Sequence, residues 1–527
     1  MSKNQSVRVN TSLDCIALWS LTWLTQRLTK PYPPRKFPSS KTVPVSPALA
    51  KKRMVQRTAV EPARRAEVTG AAATMMSGFE LNAGDPQKSA SADKATAPAA
   101  KAEFIQPFAR PVSPAAINAS VEAVHDATEI PHLFGLYHTA DMTKVMDIMR
   151  DKSPAEIKAM NTAYAEKYSQ INPATGKRAD LMEQFKATLS GQDFERITKL
   201  VNEKNTSDVP VAARIDGSQL IKDGEKLKVG ETNHLTLPDG RKYDLYIPVN
   251  AQKPLPLIVA MHGATGGDPP SLMEHESGLN IEAERKGMAV AYLYPKVHEE
   301  TGLFGIKQEV GAWNMQGKKN LLPTDPSYDD AKYVDDVISK VKSSVTVDND
   351  RVGMIGMSDG GRFAEDYAGT HQGISGVVAE SGTWMQGEKP PEHGENVMEV
   401  HGTSDHMLPF DQGKNGSNNR GFMSWLASSW IPGTSESRPW QQEQVWRAAD
   451  GATTPAKVTD NGKITIDDSV GPGGEVKTYL IKGANHAIHD YKNQGGMMFG
   501  MPDRDLDFSS TSAQFILDHP LHRSLEN

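Results

Sequence analysis

Asp350-Arg351-Val352-Gly353-Met354-Ile355-Gly356-Met357-Ser358-Asp359-Gly360-Gly361 reads as a buried strand that runs directly into Gly-x-Ser-x-Gly. The next residues, Arg362 to Ala368, are compatible with a helix. A serine on so tight a strand-to-helix turn holds a strained backbone, and the positions two before and two after it have no room for a side chain. Gly356 and Gly360 meet that demand and leave Ser358 in the open. A bare Gly-x-Ser-x-Gly also occurs in plain turns. The strand before this one and the helix after it are the context that marks a nucleophile elbow.

A serine hydroxyl is a poor nucleophile until a histidine takes its proton and a carboxylate orients that histidine. Behind an elbow of this kind the acid comes first and the histidine second. His401-Gly402-Thr403-Ser404-Asp405 follows a predicted strand and offers Asp405. Gly483-Ala484-Asn485-His486 follows the last predicted strand and offers His486. Asp411 and His489 are nearby rivals. A lone loop Asp or His is ordinarily a solvated or capping residue, but loops at the carboxyl ends of strands are where parallel sheets place their chemistry. Asp405 and His486 are therefore the expected partners of Ser358. An oxyanion hole must complete the set, with one donor expected from the backbone N–H of Asp359, directly after the serine. The second is expected from Met261-His262-Gly263-Ala264-Thr265-Gly266-Gly267, where the N–H of Ala264 is favoured and Gly263 and Thr265 are the alternatives. Each such donor is typically worth about 3 kcal/mol in the transition state.

From about residue 225, strands alternate with helical stretches, the pattern of a mainly parallel sheet. Tyr243 to Pro248, Leu257 to Met261, Ala289 to Leu293, Val352 to Ile355, Val397 to Val400 and Val476 to Ile481 are the predicted core strands. The expected fold class is α/β over residues 225–527, preceded by a small helical bundle and a disordered tail. The helical spacing lies within residues 130–203. Met142, Val145, Met146 and Met149 begin it, Ile157, Met160, Ala163 and Tyr164 continue it, and Phe185, Leu189, Phe194, Ile197 and Leu200 close it. Ser153-Pro154-Ala155-Glu156 is a helix start, with serine as cap and proline in the first turn. Four or five short helices are expected, with a structural role or as a dock for a protein partner.

With 527 residues the chain has room for roughly two to four domains. The single cysteine, Cys15, excludes an internal disulfide and any multi-cysteine metal site. No stretch is long and apolar enough to span a bilayer as a helix. Asp503-Arg504-Asp505-Leu506-Asp507 hints at a calcium loop, but Phe508 stands where glycine is required and Gln514 where glutamate is. No His-Glu-x-x-His and no phosphate-binding Gly loop with Lys-Ser/Thr is present, so no metal site is expected.

Net charge is −7, yet residues 1–110 hold 17 basic and 7 acidic side chains, which leaves −17 on the remainder. Those basic residues are scattered among Pro, Ser and Ala, with Pro31-Tyr32-Pro33-Pro34-Arg35-Lys36-Phe37-Pro38 and a low-complexity run from Ser89 to Ala100. This composition predicts a solvated, disordered tail. Nucleic acid is not expected as a partner. Cys15 to Leu24 follows Lys3 and Arg8 in the order of a secretion signal, but Ser20 and Thr22 interrupt it and no small-x-small cleavage site precedes Arg27. A start at Met75 or Met76 is an equal reading.

Two parts of the chain resemble known families. Ser153-Pro154-Ala155-Glu156-Ile157, Ala163-Tyr164-Ala165-Glu166-Lys167-Tyr168 and Leu189-Ser190-Gly191-Gln192-Asp193-Phe194 are similar to a single annexin repeat. That resemblance implies a calcium- and membrane-binding Gly-x-Gly-Thr loop, but Tyr137-His138-Thr139-Ala140-Asp141 stands in its place with neither glycine. Farther on, strand-His262-Gly263, Ala312-Trp313-Asn314, Tyr333-Val334-Asp335-Asp336-Val337, Asp350-Arg351-Val352, the elbow, His401 to Asp405 and Gly483 to His486 fall in order. Together they resemble the polyhydroxybutyrate depolymerase-like esterases, related to the feruloyl and acetylxylan esterases of carbohydrate esterase family 1, over residues 235–490.

The second resemblance implies an α/β-hydrolase fold and hydrolysis of carboxylic esters through an acyl-enzyme, without a cofactor. It implies polyhydroxyalkanoate or plant cell-wall feruloyl and acetyl esters as substrates, polymeric ones included. It also implies an extracellular setting, with a cytoplasmic one as the alternative. Ala264 stands where many relatives have cysteine, Asp359 where many have asparagine, and Ala487-Ile488-His489 where many have Trp-Pro. Asp359 is expected to put a carboxylate beside the site and to disfavour anionic substrates. Trp425 and Trp430, set among Gly and Ser, are candidate substrate-binding aromatics in a lid or platform for a sugar or aryl group. Trp440 and Trp446 have an equal claim to packing a helix on the sheet. The alternative class is a secreted or scaffold interaction protein whose hydrolase domain is inactive.

Overall fold

Leu257, Val259 and Met261 face one side of their strand and Ile258 and Ala260 the other, and all five are buried. A strand buried on both faces belongs in the middle of a sheet with helices on each side, and that is where the computed structural model has it. Residues 112–521 are described, apart from 129, 133–136, 151, 170–177, 211–212, 265–271, 302–306, 316–318, 413, 415–434, 491 and 494–502. The tail expected over residues 1–110 lies outside the described residues, as do Thr265, Trp425 and Trp430.

Among the described residues the main sheet has ten strands. They are β1 (Thr232–Thr236), β2 (Lys242–Tyr246), β3 (Leu255–Met261), β4 (Ala289–Leu293), β5 (Val347–Met357), β6 (Gly376–Glu380), β7 (Val397–Gly402), β8 (Lys457–Asp460), β9 (Ile464–Val470) and β10 (Glu475–Ile481). Their order across the sheet is β8-β9-β10-β7-β6-β5-β3-β4-β2-β1. The strands from β10 through β4 are mutually parallel. The outer strands at each edge run antiparallel.

Upstream lie α1 (Pro114–Thr128), α2 (Met142–Arg150), α3 (Pro154–Tyr168), α4 (Leu181–Thr188) and α5 (Gly191–Lys204). Their inward side chains, among them Val124, Met146, Met160, Tyr164, Phe185 and Leu200, form one apolar cluster. The expected start of α3 is present as a reciprocal cap: Glu156 N–H donates to Ser153 Oγ and Ser153 N–H to Glu156 Oε2. Tyr137–Thr139 is a strand paired with Ile130–His132.

Within the sheet-bearing part, α6 (Leu279–Lys286) and α10 (Phe508–Asp518) cover the face lined by Ile258, Ile355 and Val378. On the other face α7 (Asp330–Ser344), α8 (Asp359–Ala368) and α9 (Pro439–Ala449) pack over Leu257, Val259 and Met354. Trp446 of α9 is fully buried there, while Trp440 is half-buried with its indole N–H donating to the Gln412 carbonyl at 2.9 Å.

The outer strands β1, β8 and β9, the inner strand β6 and the helix α1 were not among the expected elements. β6 was not among the predicted strands because its apolar run is only Val377-Val378-Ala379, too short to show a period. α1 precedes the predicted helical segment. Its stripe of Ile117, Val121 and Val124 is diluted by Ala, Asn and Ser, so it reads like the low-complexity stretch before it.

Candidate active site

β5 delivers Ser358 to the first turn of α8 with φ 54° and ψ −118°. A non-glycine residue pays for such a backbone with strain, and it persists only where the surroundings hold it. Here the Ser358 N–H donates to the Glu380 carbonyl at the tip of β6, 2.7 Å away. Close approach explains both flanking glycines. A Cβ on Gly356 would lie 2.2 Å from the Gly360 carbonyl oxygen, and one on Gly360 would lie 2.4 Å from the His262 carbonyl oxygen.

The turns after β7 and β10 meet above the elbow. Ser404 N–H donates to the Ala484 carbonyl at 2.9 Å, and Thr403 N–H to the Ile481 carbonyl at 2.9 Å. These bonds bring Asp405 and His486 together, 81 positions apart in the chain. His486 Nδ1 lies 2.6 Å from Asp405 Oδ2, and its Nε2 lies 2.9 Å from Ser358 Oγ. Because a carboxylate only accepts, the proton of the neutral ring sits on Nδ1, and Nε2 is left to accept from the serine hydroxyl. Asp405 Oδ1 accepts the N–H groups of Met407 and Leu408, each at 2.8 Å. Burial would push the Asp405 carboxyl up, but His486, His401 and the Leu408 N–H together hold it below the usual carboxylate range. Asp405 is thus an ionised, fixed acceptor.

The rivals have other surroundings. Asp411 is exposed and pairs with Lys414 at 3.7 Å. His489 is fully buried, takes the Asp503 N–H on Nδ1 at 3.1 Å, and is pushed down to about 4 by burial, so its ring is neutral. Glu380 faces it, with Oε1 3.6 Å from His489 Nε2, and burial followed by the nearby Asp490 pushes this carboxyl well above its usual range. His401 donates Nε2–H to the Leu408 carbonyl at 2.9 Å and stands 3.4 Å from Asp405 Oδ2. Neither Glu380 nor His401 was singled out from sequence. His401 lies in the stretch His401 to Asp405, but the contact that gives it a part is made across a turn.

The exit of β3 lies against the elbow, since a Cβ on Gly263 would come within 3.0 Å of Ser358 Cβ. Ala264 follows, partly exposed. Asp359 opens α8, so its N–H has no partner inside the helix. Its carboxyl does not reach the solvent side of the site as expected. It is buried, and Oδ2 accepts the Trp313 N–H at 2.8 Å. Burial pushes it up to about 6. Trp313 in turn donates its indole N–H to the His262 carbonyl at 2.9 Å and stacks on Phe363 with ring centres 4.9 Å apart. The carboxyl is turned inward rather than beside the site, and there it ties α8 to the β3 exit through Trp313.

Among the described residues no cluster of three or more His, Cys, Asp or Glu is placed to hold a metal ion, and no helix is long and apolar enough to cross a membrane. Ser358, Asp405, His486 and the His262–Ala264 turn all sit at the carboxyl ends of parallel strands, where open α/β sheets bind their ligands. The doubly covered sheet with its strand-elbow-helix defines an α/β-hydrolase fold.

No protein-family model matches the chain. Among curated proteins, NocK of Nocardia uniformis subsp. tsuyamanensis, which carries an esterase designation, is 30% identical over 159 residues, 30% of this chain and 42% of that protein. The bifunctional acetylxylan esterase/xylanase XynS20E of Neocallimastix patriciarum is 26% identical over 176 residues, 33% of this chain and 22% of that protein. The chain therefore spans less than half the length of these curated relatives. Among solved structures, the acetyl xylan esterase from Aspergillus awamori shares 14% identity at a TM-score of 0.33, over 49% of this chain and 94% of that one.

Proposed function

We propose that this chain is a serine carboxylic-ester hydrolase that works through an acyl-enzyme. The observation that carries the reading is the unbroken row Ser358 Oγ, His486, Asp405, at 2.9 and 2.6 Å, on a strained elbow. As Ser358 Oγ adds to the ester carbonyl carbon, His486 Nε2 takes the hydroxyl proton, and the fixed Asp405 carboxylate stabilises the imidazolium that forms. The oxyanion faces the N–H groups of Asp359 and Ala264. Nε2 then hands its proton to the departing alcohol oxygen as the C–O bond breaks, leaving the acyl group on Ser358. A water gives its proton to the same nitrogen and adds to the acyl carbon, and as the bond to Ser358 Oγ breaks Nε2 returns that proton to the serine, which releases the acid and restores the hydroxyl.

For substrate class, the name of the acetylxylan esterase/xylanase relative and the ordered motifs support an acetyl or feruloyl ester of a plant polysaccharide. A polyhydroxyalkanoate is the other candidate that the motifs suggest. The scaffold alternative leaves the hydrogen-bonded row without a role.

The test is turnover by the purified full chain and by Ser358→Ala on p-nitrophenyl acetate, acetylated xylan, methyl ferulate and poly-3-hydroxybutyrate. The parent should hydrolyse p-nitrophenyl acetate and at least one natural-type ester. Ser358→Ala should keep its melting temperature and lose about 10⁴-fold or more in kcat. Retained turnover in the variant, or a well-folded parent inert to every ester, overturns the proposal.

A further inference from the structure

Six residues beyond His486, the side chain of Lys492 is fully buried. A lysine so placed needs compensating oxygen atoms, and it draws them from well-separated parts of the chain. Its Nζ lies 2.8 Å from Asp507 Oδ1, 3.1 Å from Ser509 Oγ and 3.4 Å from Glu282 Oε1 on α6. Asp490 Oδ1 and Glu203 Oε2, the latter from α5 of the helical bundle, each lie 3.6 Å away.

The bundle also holds the backbone of this segment. Arg150, the last residue of α2, donates Nη1–H to the Lys492 carbonyl at 3.0 Å in a buried contact. Arg150 is itself fixed, because Lys204 at the end of α5 donates to its carbonyl and to that of Lys152. Around Lys492 the described residues are tied to one another as far back as Ile488. Asn493 Nδ2 donates to the Ile488 carbonyl at 2.8 Å, and the Lys492 N–H to Asp490 Oδ1 at 2.8 Å. Ile281 of α6 completes the apolar cluster of the bundle, so the bundle is seated on the sheet-bearing part by apolar as well as ionic contact.

We infer that the helical bundle clamps the segment carrying His486, with Arg150 and Lys492 as positioning residues for the proton transfer. The inference rests on the esterase reading. Its physical ground is the demand on the His486 ring, which must meet Ser358 Oγ and Asp405 Oδ2 at once. An error of about 1 Å in such a placement can cost on the order of a hundredfold in rate. A segment held at its far end by a carbonyl contact and a buried ammonium keeps that placement. In this role the bundle faces inward, and the expected dock for a protein partner is not needed to account for it.

A merely structural role would alter the melting temperature and leave the chemistry alone, so the test reads both. The full chain, Arg150→Ala, Arg150→Lys and Glu203→Gln are compared for kcat and KM on p-nitrophenyl acetate, for melting temperature, and for the low-field proton resonance of the His486 Nδ1–H to Asp405 bond. Arg150→Ala is expected to lower kcat about tenfold or more with KM within about twofold, and to weaken or shift the resonance. Arg150→Lys should recover part of both, and Glu203→Gln should move them the same way by a smaller factor. A folded Arg150→Ala with the kcat and resonance of the parent overturns the inference. Should Arg150→Ala not fold, Glu203→Gln decides by the same two readouts. A folded parent inert to every ester overturns the esterase reading. The resonance then judges the clamp alone, which falls if the resonance is unchanged in the folded variants.

Discussion

Ser358 and the residue after it divide the work of the elbow. Ser358 bears the strained backbone, and Asp359 turns its carboxyl inward to Trp313. The inward turn makes Asp359→Asn and Asp359→Ala behave differently. Asparagine keeps an acceptor for the Trp313 N–H and removes a carboxyl that burial pushes up to about 6. A raised carboxyl stabilises the fold below its unfolded pKa, and that contribution is lost as pH rises through the folded value. Asp359→Asn should therefore keep kcat within about threefold and melt higher than the parent at pH 8, as scanning calorimetry would show. Asp359→Ala leaves the Trp313 N–H buried and unpaired, which costs about 1–3 kcal/mol. It should also lower kcat about tenfold by loosening the β3 exit. Equal kcat and stability for the two variants would contradict the bridge. The glycines and the order of serine, acid and histidine were legible because they follow from local backbone demands. Trp313 was visible only as part of a resemblance. Its contact with Asp359 spans 46 positions and joins two turns that no periodicity connects.

The long apolar runs of β3 and β4 and the β-branched and apolar residues of β7 and β10 were legible as strands, and all four fall where they were expected. β6 and α1 were not, the first for brevity and the second for dilution by small polar residues. Side-chain ties between elements are the next level down, and the sequence held no signal for them. His519, just past α10, offers one nitrogen to the Phe515 carbonyl at 2.6 Å and the other to Glu475 Oε2 at the start of β10, 2.8 Å away. With both nitrogens donating, the ring is held as an imidazolium. Burial would lower its pKa, but Glu475 and the Phe515 carbonyl raise it. The His519 hydrogen bond, followed by Lys477, holds Glu475 down to about 2. The histidine contributes fully below 6.5, and its share is lost as pH rises through the raised value. The glutamate contributes above 4.5, and its share is lost as pH falls toward 2. In urea titrations His519→Leu should cost about 1 kcal/mol between pH 4.5 and 6.5, a figure discounted for partial exposure, and the difference should shrink on either side. A cost that is independent of pH would show that the contact is packing alone.

At the scale of the whole molecule, buried carboxyls set how stability responds to pH. Burial pushes Glu276 and Glu284 up to about 7, Glu395 up to about 8 and Asp450 up to about 6. Each favours the folded state while protonated and opposes it as pH rises from the ordinary carboxylate range through its own folded value. The melting temperature should therefore fall steadily between pH 5 and pH 8, and Glu395→Gln should flatten the upper part of that slope. A curve rising over this range would contradict the assignment. The same surroundings leave the site itself to the elbow, the acid and the histidine, and Ser358 as nucleophile is the claim on which the functional reading stands. The most direct measurement is to treat the protein with a p-nitrophenyl phosphonate and locate the adduct by peptide mass mapping. The expected result is one phosphonyl group, on Ser358, absent from Ser358→Ala and slow to form in His486→Ala. A label on another residue, or none on a folded protein that hydrolyses esters, would contradict it.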